Sequence, residues 1–112
     1  MAADCLFCKI VAGQVPADVV RSDEHTISFR DINPQAPTHV LVIPRVHVAD
    51  IVELAADPEL AAALLAGVRG TAADLALAEF RTVFNTGTAA GQTVFHVHAH
   101  LLGGRPMGWP PG

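Results

Sequence analysis

The clearest hydrophobic pattern in the chain predicts one long helix after residue 57. Apolar side chains recur at helical spacing on one face of this segment, and charged side chains occupy the other. Asp57 is a good N-cap and Pro58 suits the first helical position. Gly70 lies inside the segment and weakens the helix by about 1 kcal/mol relative to alanine. The apolar face consists of Leu60, Leu64, Val68, Ala72 and Leu75, and the charged residues are Glu59, Arg69 and Asp74.

Shorter patterns predict five strands and a second, short helix. Apolar and β-branched runs indicate strands at residues 19–21, 26–29, 39–43, 82–85 and 94–102. Residues 5–12 are expected to form a short helix that ends at Gly13. Proline and glycine predict loops at residues 31–37 and 86–91 and an irregular tail at 103–112. This order predicts one α+β domain over residues 1–112, with an antiparallel five-stranded sheet, one long helix and one short helix.

Composition and charge exclude several classes of partner. The chain has 112 residues, of which 51% are hydrophobic, and a formal net charge of −4. Its seven basic residues are scattered, whereas a nucleic-acid-binding protein needs clustered cations to displace phosphate counterions. The most apolar stretch, residues 60–68, is far shorter than the roughly 20 residues of a membrane span. We expect a cytoplasmic protein that binds neither nucleic acid nor a membrane, and we find no signal peptide.

The candidate chemistry lies in the histidines, five of which fall in two short segments. His39 and His47 flank the predicted strand at residues 39–43. His96, His98 and His100 alternate with apolar residues, so on a strand their imidazoles would form a row on one face. A single histidine on a half-buried strand is usually without function, but three in strict alternation indicate a site. Histidine suits a group that must be a neutral nucleophile or a proton carrier near pH 7.

Spacing leaves two arrangements for a zinc ion. Residues four apart on a strand are separated by about 13 Å, so His96 and His100 cannot bind one metal together. In the first arrangement, a closed structural site combines Cys5, Cys8, His47 and His96, and His98 and His100 remain free for catalysis. In the second, His96 and His98 hold a catalytic zinc with His39 or His47. The Cys-x-x-Cys spacing favours the first, although the cysteines would also suit two small buried apolar side chains.

The sequence lacks the signature motifs of two other enzyme classes, and one of its loops could bind a phosphate. No glycine-rich loop with Lys-Ser or Lys-Thr is present, which excludes a P-loop nucleotide triphosphatase, and no Gly-x-Ser-x-Gly elbow occurs. Residues 86–93 contain small side chains that let backbone amides approach an anion. Gln92 and Thr93 would add side-chain hydrogen bonds. We therefore predict that this loop holds a phosphate.

Together these segments resemble the histidine triad family of nucleotide hydrolases. The triad signature is His-Val-His-Ala-His-Leu-Leu at residues 96–102, preceded by Gly-Gln-Thr at 91–93. Residues 31–44, Asp-Ile-Asn-Pro-Gln-Ala-Pro-Thr-His-Val-Leu-Val-Ile-Pro, are similar to a second hallmark of the family. The tail, with Leu-Gly-Gly-Arg at 102–105 and Trp-Pro-Pro-Gly at 109–112, looks like the Hint branch, the purine nucleoside phosphoramidases.

The resemblance implies a role for each matching residue. His98 matches the nucleophile that forms a nucleotidyl-histidine intermediate, with its second ring nitrogen bound to a backbone carbonyl. His39 and His100 match the histidines beside the phosphate, and Asp31 matches the carboxylate that binds the ribose. Phosphate-binding and leaving-group positions fall on Asn85, Gly91, Gln92 and Thr93, and the purine pocket walls fall on Phe7, Ile10, Phe29 and Ile32. Members of this branch are homodimers, so the sheet would extend across a dimer and Trp109 would approach the partner's site.

Two departures from the family pattern bear on this assignment. Thr93 stands where serine is usual, which keeps the hydroxyl and adds a methyl group beside the leaving group. Cys5 and Cys8 have no counterpart in animal Hint proteins, but similar bacterial members carry the pair and bind zinc with histidines that match His47 and His96. The resemblance therefore implies structural zinc, metal-free catalysis and hydrolysis of purine nucleoside phosphoramidates. A dinucleoside polyphosphate hydrolase and a non-enzymatic nucleotide-binding module remain the alternatives.

Overall fold

The computed structural model describes residues 4–112, so the first three residues of the predicted domain lie outside the described range. Five strands form one antiparallel sheet in the order β1-β2-β3-β5-β4. The strands are β1 (Val19–Ser22), β2 (Thr26–Arg30), β3 (Thr38–Pro44), β4 (Phe80–Val83) and β5 (Ala99–Gly103). The helices are α1 (Leu6–Val11), α2 (Ile51–Ala55) and α3 (Pro58–Asp74), and a 3₁₀ turn covers Thr88–Ala90. The predicted α+β class and five-stranded antiparallel sheet are confirmed.

The alternation of side chains along β3 and β5 separates two cores. Val40, Val42, Ala99 and Leu101 face α3 and pack with its residues Leu64, Val68 and Ala72. Leu41 and Ile43 face the opposite side, where α1 contributes Phe7, Cys8 and Ile10. Because β3 is the central strand, it is buried on both faces. His98 and His100 alternate with Ala99 and Leu101, so they lie on the opposite side of the sheet from α3, which is the α1 side.

Helix α3 begins as predicted, with the Asp57 side chain accepting a hydrogen bond from the Leu60 amide and Pro58 in the first turn. Its two inner glycines allow close packing against β1 and β2. A Cβ atom at Gly67 would lie 2.6 Å from Thr26 Oγ1, and one at Gly70 would lie 2.5 Å from Arg21 Cζ. Glycine at position 70 lowers the helix propensity of this segment, but it leaves the space that the Arg21 side chain occupies.

Two of the predicted strands have wrong boundaries, and one helix was not predicted. The strand predicted at residues 94–102 begins only at Ala99, because the Val97 amide donates to the Val48 carbonyl rather than to β3. The strand predicted at 82–85 is β4, two residues earlier. Helix α2 was not predicted, since only Leu54 of its five residues is buried and no periodic pattern marks it; the Asp50 side chain caps it by accepting from two amides.

The remaining predicted segments keep their places. Helix α1 is capped by Cys5 and is followed by Gly13 with a φ of +76°, a left-handed conformation that glycine adopts readily. Strands β1 and β4 are the two edges of the sheet. Between residues 4 and 112, no helix is both long and apolar enough to cross a bilayer.

Candidate active site

A cavity of about 580 Å³ opens on the α1 side of the sheet. Its volume lies within the range typical of small-molecule sites. Apolar side chains from α1, β2 and β3 form much of its walls. The polar residues that line it are Asp18, Arg30, Asp31, Thr93, His98 and His100. The apolar wall includes the predicted residues Phe7, Ile10, Phe29 and Ile32, together with Leu6, Val15, Leu41 and Val94.

His98 is held in one tautomer at this cavity. Its Nδ1 lies 2.8 Å from the backbone carbonyl oxygen of His96, which can only accept, so Nδ1 carries the hydrogen and Nε2 keeps its lone pair. The ring is only 8% exposed, and Phe7 packs edge-on against it at a centroid distance of 5.0 Å. Burial lowers the pKa of His98, against the opposing effects of the His96 carbonyl and Asp31. The arrangement leaves His98 neutral and oriented, with a lone pair on Nε2 that is chemically able to act as a nucleophile.

His39 and His100 form a hydrogen-bonded pair beside His98. The Gln35 amide donates to His39 Nδ1 at 3.0 Å, so the hydrogen of His39 must be on Nε2. That nitrogen lies 2.9 Å from His100 Nδ1 and 3.4 Å from an Asp31 carboxylate oxygen. His100 Nδ1 therefore accepts, and the hydrogen of His100 is on Nε2. This buried nitrogen has no hydrogen-bond partner among the described residues, and His100 also lines the cavity.

Burial also keeps this pair neutral. Burial, aided by His98 and His39, lowers the pKa of His100 to about 4, although Asp31 acts in the opposite direction. Burial likewise lowers the pKa of His39, and the carboxylate of Asp31 opposes it. A neutral His100 lines the cavity and carries one N–H without a partner among the described residues. An N–H donor is the kind of group that stabilises charge on a phosphoryl oxygen.

The predicted phosphate loop contributes unequally to the cavity. Thr93 lines it, whereas Asn85, Gly91 and Gln92 are not among the lining residues. The Gln92 side chain is 2% exposed and turns inward: its Nε2 donates to the carbonyls of Ala49 and Val94, and its Oε1 accepts from the Gly87 amide. The predicted side-chain hydrogen bond from Gln92 to phosphate is therefore replaced by a structural role, in which the amide group fixes the loop.

Two predicted nucleotide-binding residues are exposed. Ile32 lines the rim of the cavity but is otherwise open to solvent. Trp109, in the tail, is 83% exposed and does not line the cavity. Within one chain, these two large apolar side chains leave most of their surface exposed to solvent.

Four of the predicted metal ligands meet at the N-terminal end of α1. Cys5, Cys8, His47 and His96 place one ligand atom each within 4.8 Å of all the others. His47 Nδ1 lies 3.3 Å from both Cys8 Sγ and His96 Nδ1, and His96 Nδ1 lies 3.6 Å from both sulfur atoms. Ligands of a tetrahedral zinc ion, at about 2.0–2.3 Å from the metal, are separated by about 3.3–3.8 Å.

The hydrogen bonding of His96 fits the same donor set. Its Nε2 lies 2.8 Å from the Pro44 carbonyl oxygen and must donate to it, so Nδ1 has its lone pair free and directed at the cluster. Two thiolates and two imidazoles suit zinc, and four protein ligands leave no position for water. The four residues therefore fit a structural zinc ion.

The structure does not bring together the ligands of the second arrangement, in which His96 and His98 would hold a catalytic zinc. Within residues 4–112 no group of three ligand atoms includes His98. Asp31, His39 and His100 do form a group, but a metal on His39 Nε2 would displace its hydrogen to Nδ1, where the Gln35 amide already donates. The hydrogen bonds of this pair thus oppose metal binding.

Sequence reasoning missed Gln35, whose backbone amide fixes the tautomer of His39. Asn33-Pro34 and Ala36-Pro37 correctly predicted a loop at this position. No side-chain pattern could indicate which amide of the loop points at the imidazole, since the group that acts is part of the backbone.

Comparisons with known proteins agree with the fold and the histidine pattern. A family model, HIT domain, matches residues 12–107. The purine nucleoside phosphoramidase of Escherichia coli K12 is 41% identical over 115 residues, covering 96% of this chain and 93% of that protein. The 14 kDa zinc-binding protein of Zea mays is 44% identical over 112 residues, covering 96% and 87%.

A solved structure matches as well. The crystal structure of a HIT family hydrolase from Legionella pneumophila Philadelphia 1 superposes with a TM-score of 0.91 at 50% identity, covering 97% of this chain and 100% of that one. The described fold, the triad sequence and these matches agree over nearly the whole length. The chain belongs to the HIT domain family.

Proposed function

We propose that this protein is a nucleotide hydrolase that cleaves the P–N bond of purine nucleoside phosphoramidates and releases a nucleoside monophosphate. The observation that carries the proposal is the fixed tautomer of His98, whose Nε2 lone pair is free at a cavity with apolar walls. The similarity to the purine nucleoside phosphoramidase of Escherichia coli supports the choice of substrate.

In the first step, His98 Nε2 attacks the α-phosphorus while its Nδ1–H stays bound to the His96 carbonyl. The N–P bond forms, the bond to the amine breaks, and the product is a nucleotidyl-histidine carrying a positive imidazolium. The lone pair is available because the ring is neutral, and the carbonyl stabilises the positive charge that develops on the ring. His100 Nε2–H donates a hydrogen bond to a phosphoryl oxygen.

The amine takes up one proton from solvent as it leaves. We assign Thr93, which lines the cavity, to hydrogen-bond the leaving nitrogen during this transfer. Water then attacks phosphorus, the P–N bond to His98 breaks, and the water releases one proton. The net reaction consumes one water molecule and returns His98 to its neutral state.

The remaining residues of the site orient the nucleotide. The apolar side chains Phe7, Ile10, Phe29 and Ile32 take the base, and Asp31 accepts hydrogen bonds from the ribose hydroxyl groups. A zinc ion held by Cys5, Cys8, His47 and His96 would supply structural stability and no reactive water. The Gln92 side chain holds the loop that carries Thr93, and Asn85 and Gly91 are kept as proposed phosphate-binding positions.

We also infer a cytoplasmic homodimer in which residues 1–112 of each subunit form one domain. The exposed Trp109 would cover the site of the partner, which would give this side chain the packing it lacks within one chain. Extension of the sheet across the dimer would pair an edge strand that the monomer leaves open.

The test compares hydrolysis of adenosine 5′-phosphoramidate by the wild type, His98→Ala and His25→Ala, each with and without a chelator. His25 is an exposed histidine outside the site and serves as the matched control. We expect activity in the wild type and the control, its loss in His98→Ala, and an adenylyl adduct detected by intact mass after rapid quenching. Turnover unaffected by His98→Ala would refute the proposal, and a preference for a diadenosine polyphosphate would replace the substrate. Binding of adenosine monophosphate without turnover of either compound would indicate a nucleotide-binding module.

A further inference from the structure

The C-terminal segment contacts the loop that fixes His39. Arg105 lies two residues beyond the end of β5, and its Nε and Nη2 both donate to the Gln35 carbonyl oxygen, at 3.2 and 3.0 Å. Its Nη1 donates to the Pro106 carbonyl at 3.0 Å. Each of the three guanidinium nitrogens thus donates to a backbone oxygen, and the two bonds to one carbonyl restrain Gln35, whose amide binds His39.

Gln35 is the point at which this contact reaches the active site. Its amide donates the hydrogen bond that sets the tautomer of His39, and its carbonyl accepts from Arg105. The loop has two bonds of its own, from the Asn33 amide to Asp31 and from the Gln35 side chain to the Asn33 carbonyl. Neither of these bonds involves the backbone of Gln35, so Arg105 supplies the restraint on that residue from outside the loop.

Gly104 lets the segment approach closely enough for this contact. It has a φ of +89°, and a Cβ atom there would lie 2.9 Å from the Cβ of Pro37. Strand β5 thus carries His100 at one position and, just beyond its end, places Arg105 against the loop that orients His39. One strand therefore carries His100 and also leads into the arginine that restrains the loop beside His39.

We propose that Arg105 is a positioning residue for the His39–His100 pair, acting through the backbone of Gln35; the inference rests on the proposed function. If the Gln35 amide moves away, His39 can carry its hydrogen on Nδ1 instead of Nε2. His100 Nδ1 then loses its donor and takes up the hydrogen itself, and its Nε2 presents a lone pair to the phosphate. A donor to the phosphoryl group becomes a repulsive acceptor, so the chemical step slows while the cavity walls are unchanged.

The test compares Arg105→Ala and Arg105→Lys with Arg81→Ala. Arg81 also holds the tail, by donating to the Gly108 carbonyl at 2.8 Å, but it makes no contact with Gln35. We expect Arg105→Ala to lower kcat about fivefold to tenfold with KM within about twofold, because Arg105 does not line the cavity. Arg105→Lys, which keeps one donor, should retain intermediate activity, and Arg81→Ala should remain within about twofold of the wild type.

A second readout does not depend on turnover. The ¹⁵N resonances of the His39 ring report which nitrogen carries hydrogen, and they are assigned by comparison with a His39→Gln spectrum. We expect a single tautomer in the wild type and in Arg81→Ala, and a mixture in Arg105→Ala. An unchanged His39 tautomer in Arg105→Ala, or an equal loss of activity in Arg81→Ala, overturns the inference. If the wild type does not hydrolyse phosphoramidates, the proposed function fails, whereas the tautomer measurement still decides the role of Arg105.

Discussion

Two glycines of α3 differ in what surrounds them, and substituting each with alanine tests how closely the helix packs on the sheet. Helix propensity alone predicts that either change stabilises the protein by about 1 kcal/mol. A Cβ at Gly67 would lie 2.6 Å from Thr26 Oγ1 and 3.1 Å from Thr26 Cβ. The three atoms nearest to a Cβ at Gly70 all belong to the end of the Arg21 side chain.

The neighbours of the two positions differ in their freedom to move. Thr26 is 1% exposed, and its hydroxyl donates to Asp23 at 2.9 Å, so it cannot rotate away without losing that bond. Overpacking at such a site costs about 1–3 kcal/mol, which makes Gly67→Ala destabilising by about 1 kcal/mol overall. Arg21 can shift at the cost of weakening its partly exposed ion pair with Asp74, worth about 0–1 kcal/mol. Gly70→Ala should therefore be neutral or slightly stabilising.

The assay is equilibrium unfolding in urea, with the free energy of unfolding compared at equal m-values. The informative quantity is the difference between the two variants, about 1–2 kcal/mol in favour of Gly70→Ala, since the helix-propensity gain cancels between them. Equal stabilisation of both variants would falsify the reasoning, because it would mean that Thr26 gives way as easily as Arg21.

Three further predictions concern the site. Because the pKa of His100 is lowered from 6.5 to about 4, the unfolded chain binds more protons than the folded one in this interval, so stability should fall as pH falls from 6.5 to 4. The contribution is about 1–3 kcal/mol, and urea titrations of His100→Gln should show a weaker dependence; an unchanged one contradicts the assignment. Cys8→Ser should lower Tm and remove the effect of a chelator on Tm, whereas a chelator effect equal to that of the wild type would exclude Cys8 as a ligand. Thr93→Ser should keep phosphoramidase activity within about threefold and Thr93→Val should lose about tenfold or more, measured as kcat; equal rates would show that the hydroxyl plays no part.

The sequence predicted the parts of the fold that depend on periodicity. Val97, Ala99 and Leu101 are buried against α3 as their alternation with histidine required, and His98 and His100 lie on the other side. The capping residue Asp57 likewise marked the start of α3 correctly. These features depend on local spacing and burial, which a single sequence carries.

Contacts between distant backbone groups could not be predicted in this way. The residues before Ala99 have the composition of a strand, yet the ring of His96 binds the Pro44 carbonyl and the amide of Val97 binds the Val48 carbonyl. His96 lies with the cysteines, as the favoured zinc arrangement predicted, and His98 and His100 lie at the cavity, but the backbone contacts that break the strand before Ala99 were not predicted. The role of Gln92 could not be predicted for the same reason. Its side-chain amide donates to the carbonyls of Ala49 and Val94, and Ala49 is distant from Gln92 in the sequence.

Helix α1 links two ligand sites that share no atom. It has six residues, too few to persist alone, so it exists only while docked on the sheet. Cys8 faces the metal cluster, and Phe7 and Ile10 face the cavity. A metal in the cluster and a ligand in the cavity would each stabilise the same docked helix, so any effect of one on the affinity of the protein for the other would be reciprocal.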